Sequence, residues 1–161
     1  MRRHPVLRDL SSEHHAGLVM ARRASLAAGD VPAVRAAAWA ELAERFRAEL
    51  DPHFRREEAL LLPALRAAGE RGLVERTLAE HAAMRRLIVS DRAEGLAEFA
   101  ELLRAHIRFE EQVLFECAQR RLDPAELAAL GEWLGAKGPP ACQACDTRSR
   151  VADSEPTVGL E

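Results

Sequence analysis

The stretch His106-Ile107-Arg108-Phe109-Glu110-Glu111 puts a histidine and a glutamate four residues apart. In a helix they share one face, one turn from each other. An imidazole and a carboxylate aimed into a helical core are costly to desolvate unless something inside binds both. The signature recurs at His53-Phe54-Arg55-Arg56-Glu57-Glu58. Repetition favours a metal over a stray pair of buried polar groups.

Around these stretches the pattern is helical almost throughout. Leu7, Leu10, His14, Leu18 and Ala21 recur with a 3.6-residue period after Pro5, and Gly29-Asp30 ends that segment. A second helix is expected from Val31 to Ala68, with the stripe Trp39, Leu42, Phe46, Leu50, His53, Glu57, Leu60 and Ala64. The stripe runs on through Pro52, so a kink is expected there and not a stop. Pro63 should loosen the last turns. After Gly69 and Gly72, a third helix from Leu73 to Val89 aligns Val74, Leu78, His81, Met84 and Ile88. Ser90-Asp91 suits a turn or cap. A fourth helix, Arg92 to Arg121, aligns Phe99, Leu103, His106, Glu110, Val113 and Cys117. Asp123-Pro124 opens a short fifth helix to Leu134. Four amphipathic helices with short connections predict an all-α, up-down-up-down four-helix bundle. The expected division is a domain over residues 1–136 and a flexible C-terminal tail over 137–161, where periodicity is lost.

Composition narrows the function. Of 161 residues, 48% are apolar and 30% charged, as in a globular domain with a core of its own. A net charge of −3 gives no electrostatic footprint for nucleic acid. No apolar run reaches the ~18 residues that a membrane span requires. The N-terminus lacks a signal-peptide apolar core, and three cysteines make no disulfide framework, so a cytoplasmic setting is expected. Oligomeric state is left open.

Each of the four long helices carries a histidine on its apolar stripe: His14, His53, His81 and His106. The second and fourth add Glu57 and Glu110 one turn on. Imidazole and carboxylate donors suit iron, manganese or zinc, and argue against copper(I). Six side chains exceed what one tetrahedral zinc needs, whereas two ions bridged by two carboxylates use them all. The sequence also repeats internally: Glu13-His14 with His53-x-x-x-Glu57-Glu58, then Glu80-His81 with His106-x-x-x-Glu110-Glu111.

The ordered set Leu10-Ser-Ser-Glu-His14, His53-x-x-x-Glu57, Glu80-His81 and His106-x-x-x-Glu110 resembles the hemerythrin-like (HHE cation-binding) family over residues 4–122. The resemblance implies a four-helix bundle with two non-haem iron ions. It implies that His14 and His53 hold one iron, His81 and His106 the other, and that Glu57 and Glu110 bridge. The implied partner is a small ligand: dioxygen, peroxide or nitric oxide. Two places depart from the oxygen carriers of the family. Arg85 stands four residues after His81, where they have a second histidine. Glu110 and Glu111 stand four and five after His106, where they use an aspartate at five. Two histidines and two bridges leave open places on both irons. That suits redox chemistry or sensing better than bulk oxygen carriage. The alternative is a non-enzymatic oxygen or iron sensor, or an oxygen-binding protein.

Several residues carry two readings. His15 replaces His14 as ligand if the first helix is rotated, but Leu7-Leu10-Leu18 favours His14. Glu58 and Glu111 should point away from the centre, ~100° round the helix from their neighbours, and be solvated or bonded to nearby arginines. Glu13 and Glu80 are placed to orient imidazoles. Arg85 either reaches solvent or stays near the irons and steers an anion. Cys142-Gln-Ala-Cys145 is a lone CxxC, a weak zinc signal. Cys117 reads as a buried thiol.

Overall fold

A computed structural model describes residues 4–135, and these are entirely helical apart from their turns. Helix α1 spans Pro5–Ala27. Helix α2 is one continuous rod over residues 32–67. Within it, α-helical Pro32–Arg45, Asp51–Arg56 and Leu62–Ala67 are joined by π turns at Phe46–Leu50 and Glu57–Leu61. Helix α3 is Arg71–Ser90. Helix α4 covers residues 96–121, with a π turn at Glu110–Leu114, and follows the 3₁₀ turn Ala93–Gly95. Helix α5 is Pro124–Gly135. The Cys142–Cys145 pair and the expected tail lie outside the described residues.

The prolines of α2 do not break it. Pro52 and Pro63 each stand two residues after the end of a π turn. Proline lacks an N–H and its ring crowds the carbonyl four residues back. The wider turn absorbs the misfit, so the rod runs on past each proline. Proline is not the whole cause, because the π turn of α4 has no proline after it.

The turns follow local chemistry. Gly69 adopts φ +92 and ends α2, so the chain stops there, while Gly72 lies inside the first turn of α3. Asp91, at φ 49, caps α3 in the left-handed region, and its Oδ1 accepts the Trp39 indole N–H at 3.1 Å. Asp123 opens α5 as a reciprocal capping box. Its Oδ1 accepts the N–H groups of Ala125 and Glu126 at 2.8 Å, and its own N–H donates to Glu126 at 2.9 Å.

Two apolar clusters fill the interior. One gathers Met20, Trp39, Phe46, Phe54, Met84 and Leu103; the other gathers Leu7, Leu62, Leu65, Val74, Leu114 and Phe115. Helices α1 and α3 run from the second cluster to the first; α2 and α4 run from the first to the second. His14, His53, Glu57, His81, His106 and Glu110 are buried and belong to neither cluster.

Some expected core positions turn outward. Leu18 is 43% exposed, and Gly17 takes its place on the buried face of α1. Val113 is 41% exposed, and Leu114 is buried in its place. Leu60 likewise yields to Leu61. The π turns explain the last two. A wider turn needs four residues, not three, to return to the same face.

Gly17 lets α1 approach α4. A Cβ there would lie 3.0 Å from Ile107 Cδ1 and 3.5 Å from Leu50 Cδ2. Gly17→Val is expected to lower the unfolding free energy by about 1–3 kcal/mol through overpacking. Denaturant titration of the metal-free protein reads that loss directly.

Candidate metal centre

Each helix carries its histidine inward at mid-length, where the two apolar clusters meet. His15 is exposed, which settles the rotation of α1 in favour of His14. His53 and Glu57 lie one turn apart on α2, and His106 and Glu110 one turn apart on α4. Both carboxylates are the first residue of a π turn. Helical spacing offers no sign of these turns, which are frequent at functional sites.

The six side chains converge. His14, His53, Glu57 and Glu110 form one group with donor atoms within 4.8 Å of one another; Glu57, His81, His106 and Glu110 form a second. The two groups share both carboxylates. Glu57 turns Oε1 toward His53 Nε2 (3.5 Å) and Oε2 toward His81 Nε2 (3.4 Å). Glu110 turns Oε2 toward His14 Nε2 (3.1 Å) and Oε1 toward His106 Nε2 (3.1 Å).

The outer imidazole nitrogens are all tied. His14 Nδ1 lies 2.6 Å from Glu111, and His53 Nδ1 is 2.8 Å from Glu13. His81 Nδ1 is 2.8 Å from Glu58, and His106 Nδ1 is 2.8 Å from Glu80. An ionised carboxylate only accepts, so each Nδ1 carries a proton and each Nε2 is directed inward as a donor atom. Every one of these glutamates comes from a neighbouring helix. Glu58 and Glu111 were expected to point away, solvated or bonded to arginines; Glu58 does meet Arg85, but both also reach an imidazole of a neighbouring helix. A residue one step off the inward stripe lies at the seam with the next helix, and each seam presents an imidazole.

Arginines back Glu13, Glu80 and Glu58. Arg56 pairs with Glu13, Arg76 with Glu80 at 2.8 Å, and Arg85 with Glu58 at 2.7 Å. Arg85 also donates to Asp51 at 2.7 Å. It therefore neither reaches free into solvent nor points at the centre. Burial works to raise the pKa of Glu13, Glu58 and Glu80, but bonds from imidazole and guanidinium hold all three below the ordinary carboxylate range.

The inner groups are strongly coupled. Burial opposes charge on His14, yet Glu110 and Glu111 raise its pKa to about 9. Burial likewise opposes charge on His106, and Glu110 and Glu80 raise it to about 10. His81 is raised by Glu110 and Glu57 against the same penalty. Glu110 is pushed up by burial but driven well below the usual range by His106, His14 and His81.

A cation fits what remains unpaired. All four carboxylate oxygens of Glu57 and Glu110 are buried without a hydrogen bond; their imidazole neighbours are close but poorly aligned for one. The Nε2 atoms of His14 and His53 stand 3.3 Å apart, and those of His81 and His106 3.2 Å. Two nitrogens each about 2.1 Å from one ion and at right angles lie about 3 Å apart. Orphaned carboxylate acceptors are expensive in an apolar interior; protons on the imidazoles offset part of that cost in the metal-free chain, and a cation between the donors, displacing those protons, removes it.

Two further side chains fall outside the centre. His4 is half-buried at the start of α1, where its N–H donates to Gln119 Oε1 at 3.1 Å. Cys117 is a free buried thiol whose pKa is raised by burial and by Glu70. Among the described residues no helix is long and apolar enough to cross a membrane.

Residues 5–118 match the family model for the hemerythrin HHE cation-binding domain. Comparisons with curated proteins and with solved structures gave no match.

Proposed function

The chain belongs to the hemerythrin HHE cation-binding domain family, and from that premise we propose that it is a non-haem di-iron protein whose carboxylate-bridged centre binds or reacts with dioxygen, peroxide or nitric oxide. One observation carries the reading: Glu57 and Glu110 each offer one oxygen to the His14–His53 pair or its partner pair and the other oxygen across the centre. In this reading His14 and His53 hold one iron, His81 and His106 hold the other, and both glutamates are shared. The alternating passage of the four long helices between the apolar clusters supports an up-down-up-down bundle.

The chain's own residues then have distinct tasks. The imidazoles present Nε2, kept in register by Glu13, Glu58, Glu80 and Glu111. Stacking of Phe54 on His81 and of Phe115 on His14 restricts two of the rings. Bound iron supplies reversible one-electron chemistry and coordination places for a small ligand. Two nitrogens and two carboxylate oxygens would leave an ion that takes six donors with about two places free of protein. Arg85, turned away into its ion pairs, adds no fifth donor.

Anaerobic loading with ferrous iron, followed by metal analysis and stopped-flow mixing with oxygen, tests this. The expected result is two irons per chain and rapid oxidation to a species absorbing in the near ultraviolet. A protein that takes up no iron overturns the di-iron reading. A stable, reversible oxygenated form with slow autoxidation overturns the redox reading in favour of carriage.

A further inference from the structure

The α1–α2 and α3–α4 seams are packed differently beside the centre, and the internal repeat shows where they part. Arg56 of α2 and Phe109 of α4 each stand three residues after their histidine. Phe109 is buried, and the Arg76 guanidinium lies over its ring, 3.7 Å from the centroid. Arg56 instead turns its guanidinium across to Glu13 of α1. Leu10 and Thr77 likewise each stand four residues before their histidine. Thr77 is buried and donates its hydroxyl to the Leu73 carbonyl at 2.9 Å. At this level a ring under an arginine fills the α3–α4 seam.

The α1–α2 seam holds a cleft in the corresponding place, with α5 at its edge. Val6, Leu10, Leu60, Leu61, Leu130 and the stem of Arg56 line it. Its free volume is about 10 Å³, room for one body of about the size of water. The charged end of Arg56 is engaged with Glu13 and its Nε is buried, so only carbon faces the space. Leu60 and Leu130 are half-buried and form the rim; Leu10 and Leu61 are buried and form the floor. Leu10 lies one turn before His14, and Leu61 one turn after Glu57. The floor is therefore the apolar layer next to the centre.

An apolar space of this kind stays dry and takes up solutes such as xenon. Dioxygen and nitric oxide give up no strong hydrogen bonds on entering it. Hydrogen peroxide does, and nothing in the lining replaces them. An acyl chain or a large side chain exceeds the space.

We propose that the cleft between α1, α2 and α5 receives a neutral apolar diatomic gas, dioxygen or nitric oxide, on its way to the centre. The inference rests on the di-iron reading above and narrows its ligand to the two candidates that are apolar.

Xenon, an inert apolar probe, tests the site directly. In the zinc-loaded protein, which is diamagnetic, the methyl resonances of Leu10, Leu61 and Leu130 are expected to shift under xenon pressure. Those of Leu42 and Leu96, in the other apolar cluster, should stay in place. Stopped-flow mixing of the ferrous protein gives the second readout. Leu60→Trp fills the cleft and should slow the reaction with oxygen about tenfold. The reaction with hydrogen peroxide should slow less, and the iron content should not change. Leu60→Ala widens the rim and should not slow oxygen. Should the tryptophan variant fail to fold, xenon itself should slow the oxygen reaction of the wild type by occupying the cleft. Xenon shifts confined to other parts of the protein overturn this inference and leave the di-iron reading intact. So do oxygen rates that neither the tryptophan nor xenon moves, or equal slowing of oxygen and peroxide. A protein that takes up no iron overturns the di-iron reading, and this inference with it.

Discussion

Glu110→Ala is expected to lose both metal ions, whereas His14→Ala loses chiefly one. Glu110 contributes an oxygen to each group, at 3.1 Å from His14 and 3.1 Å from His106, so its removal strips a donor from both. It also strips the protein of the charge that His14, His81 and His106 share, since all three have raised pKa values owed in part to this carboxylate. Removing one partner from a buried charged cluster costs about 3–5 kcal/mol. A melting temperature roughly 10 °C lower follows for the metal-free variant. Glu110→Gln keeps the shape without the charge and separates the two effects, for a packing defect would spare it. Metal content by elemental analysis and melting by calorimetry decide the matter. Two ions still bound in Glu110→Ala would remove Glu110 from the centre.

Stripping the metal should invert the response of the fold to alkali. In the metal-free protein the His14 and His106 pKa values lie near 9 and 10 against 6.5 for a free imidazole. Groups raised on folding stabilise fully below 6.5, and their contribution is lost as pH climbs through the folded values. Each such proton gives a slope of up to about 1.4 kcal/mol per pH unit within that window. Glu110 acts oppositely. Its contribution is present above its ordinary value and is lost as pH falls through its depressed one. The metal-free protein should therefore be most stable in mildly acidic buffer and weaken steadily between pH 6.5 and 10. Metal ions compete with the same protons, so the loaded protein should hold its stability over that range and shed its ions on acidification. Calorimetry of both forms from pH 5 to 10 tests this. A metal-free protein equally stable at pH 6 and pH 9.5 would show that the imidazoles are not charged in the folded state.

The positions of the candidate donors were legible because helical spacing carries them. His53 with Glu57 and His106 with Glu110 are each four apart, and the apolar stripe of α1 chose His14 over His15 before any coordinates did. The outward turn of Leu18 was not legible, because a leucine and a glycine side by side on an apolar helix give no reason to bury the glycine. Only contact with Ile107 and Leu50 does. The slips at Leu60 and Val113 have a different origin. They follow from π turns that open at Glu57 and Glu110, and a fixed 3.6-residue period cannot foresee a change of period. The partners of the imidazole Nδ1 atoms were half legible. Glu13 and Glu80 were expected to orient imidazoles, and each holds one, but on the adjacent helix, His53 and His106, and not the histidine it precedes; spacing on one helix says nothing of what the next helix presents. The same limit applied to Arg85, whose partners Asp51 and Glu58 belong to another helix.

The four glutamate–imidazole bonds join α1 to α4, α2 to α1, α3 to α2 and α4 to α3. They close into a hoop with a single sense of travel, in which every helix gives one link and receives one. The first two helices close one link by themselves, Glu13 to His53, and the next two close Glu80 to His106. The remaining pair of links crosses between the halves. Neither hairpin is self-sufficient, and each is the other's missing part, as the two cheeks of a buckle are.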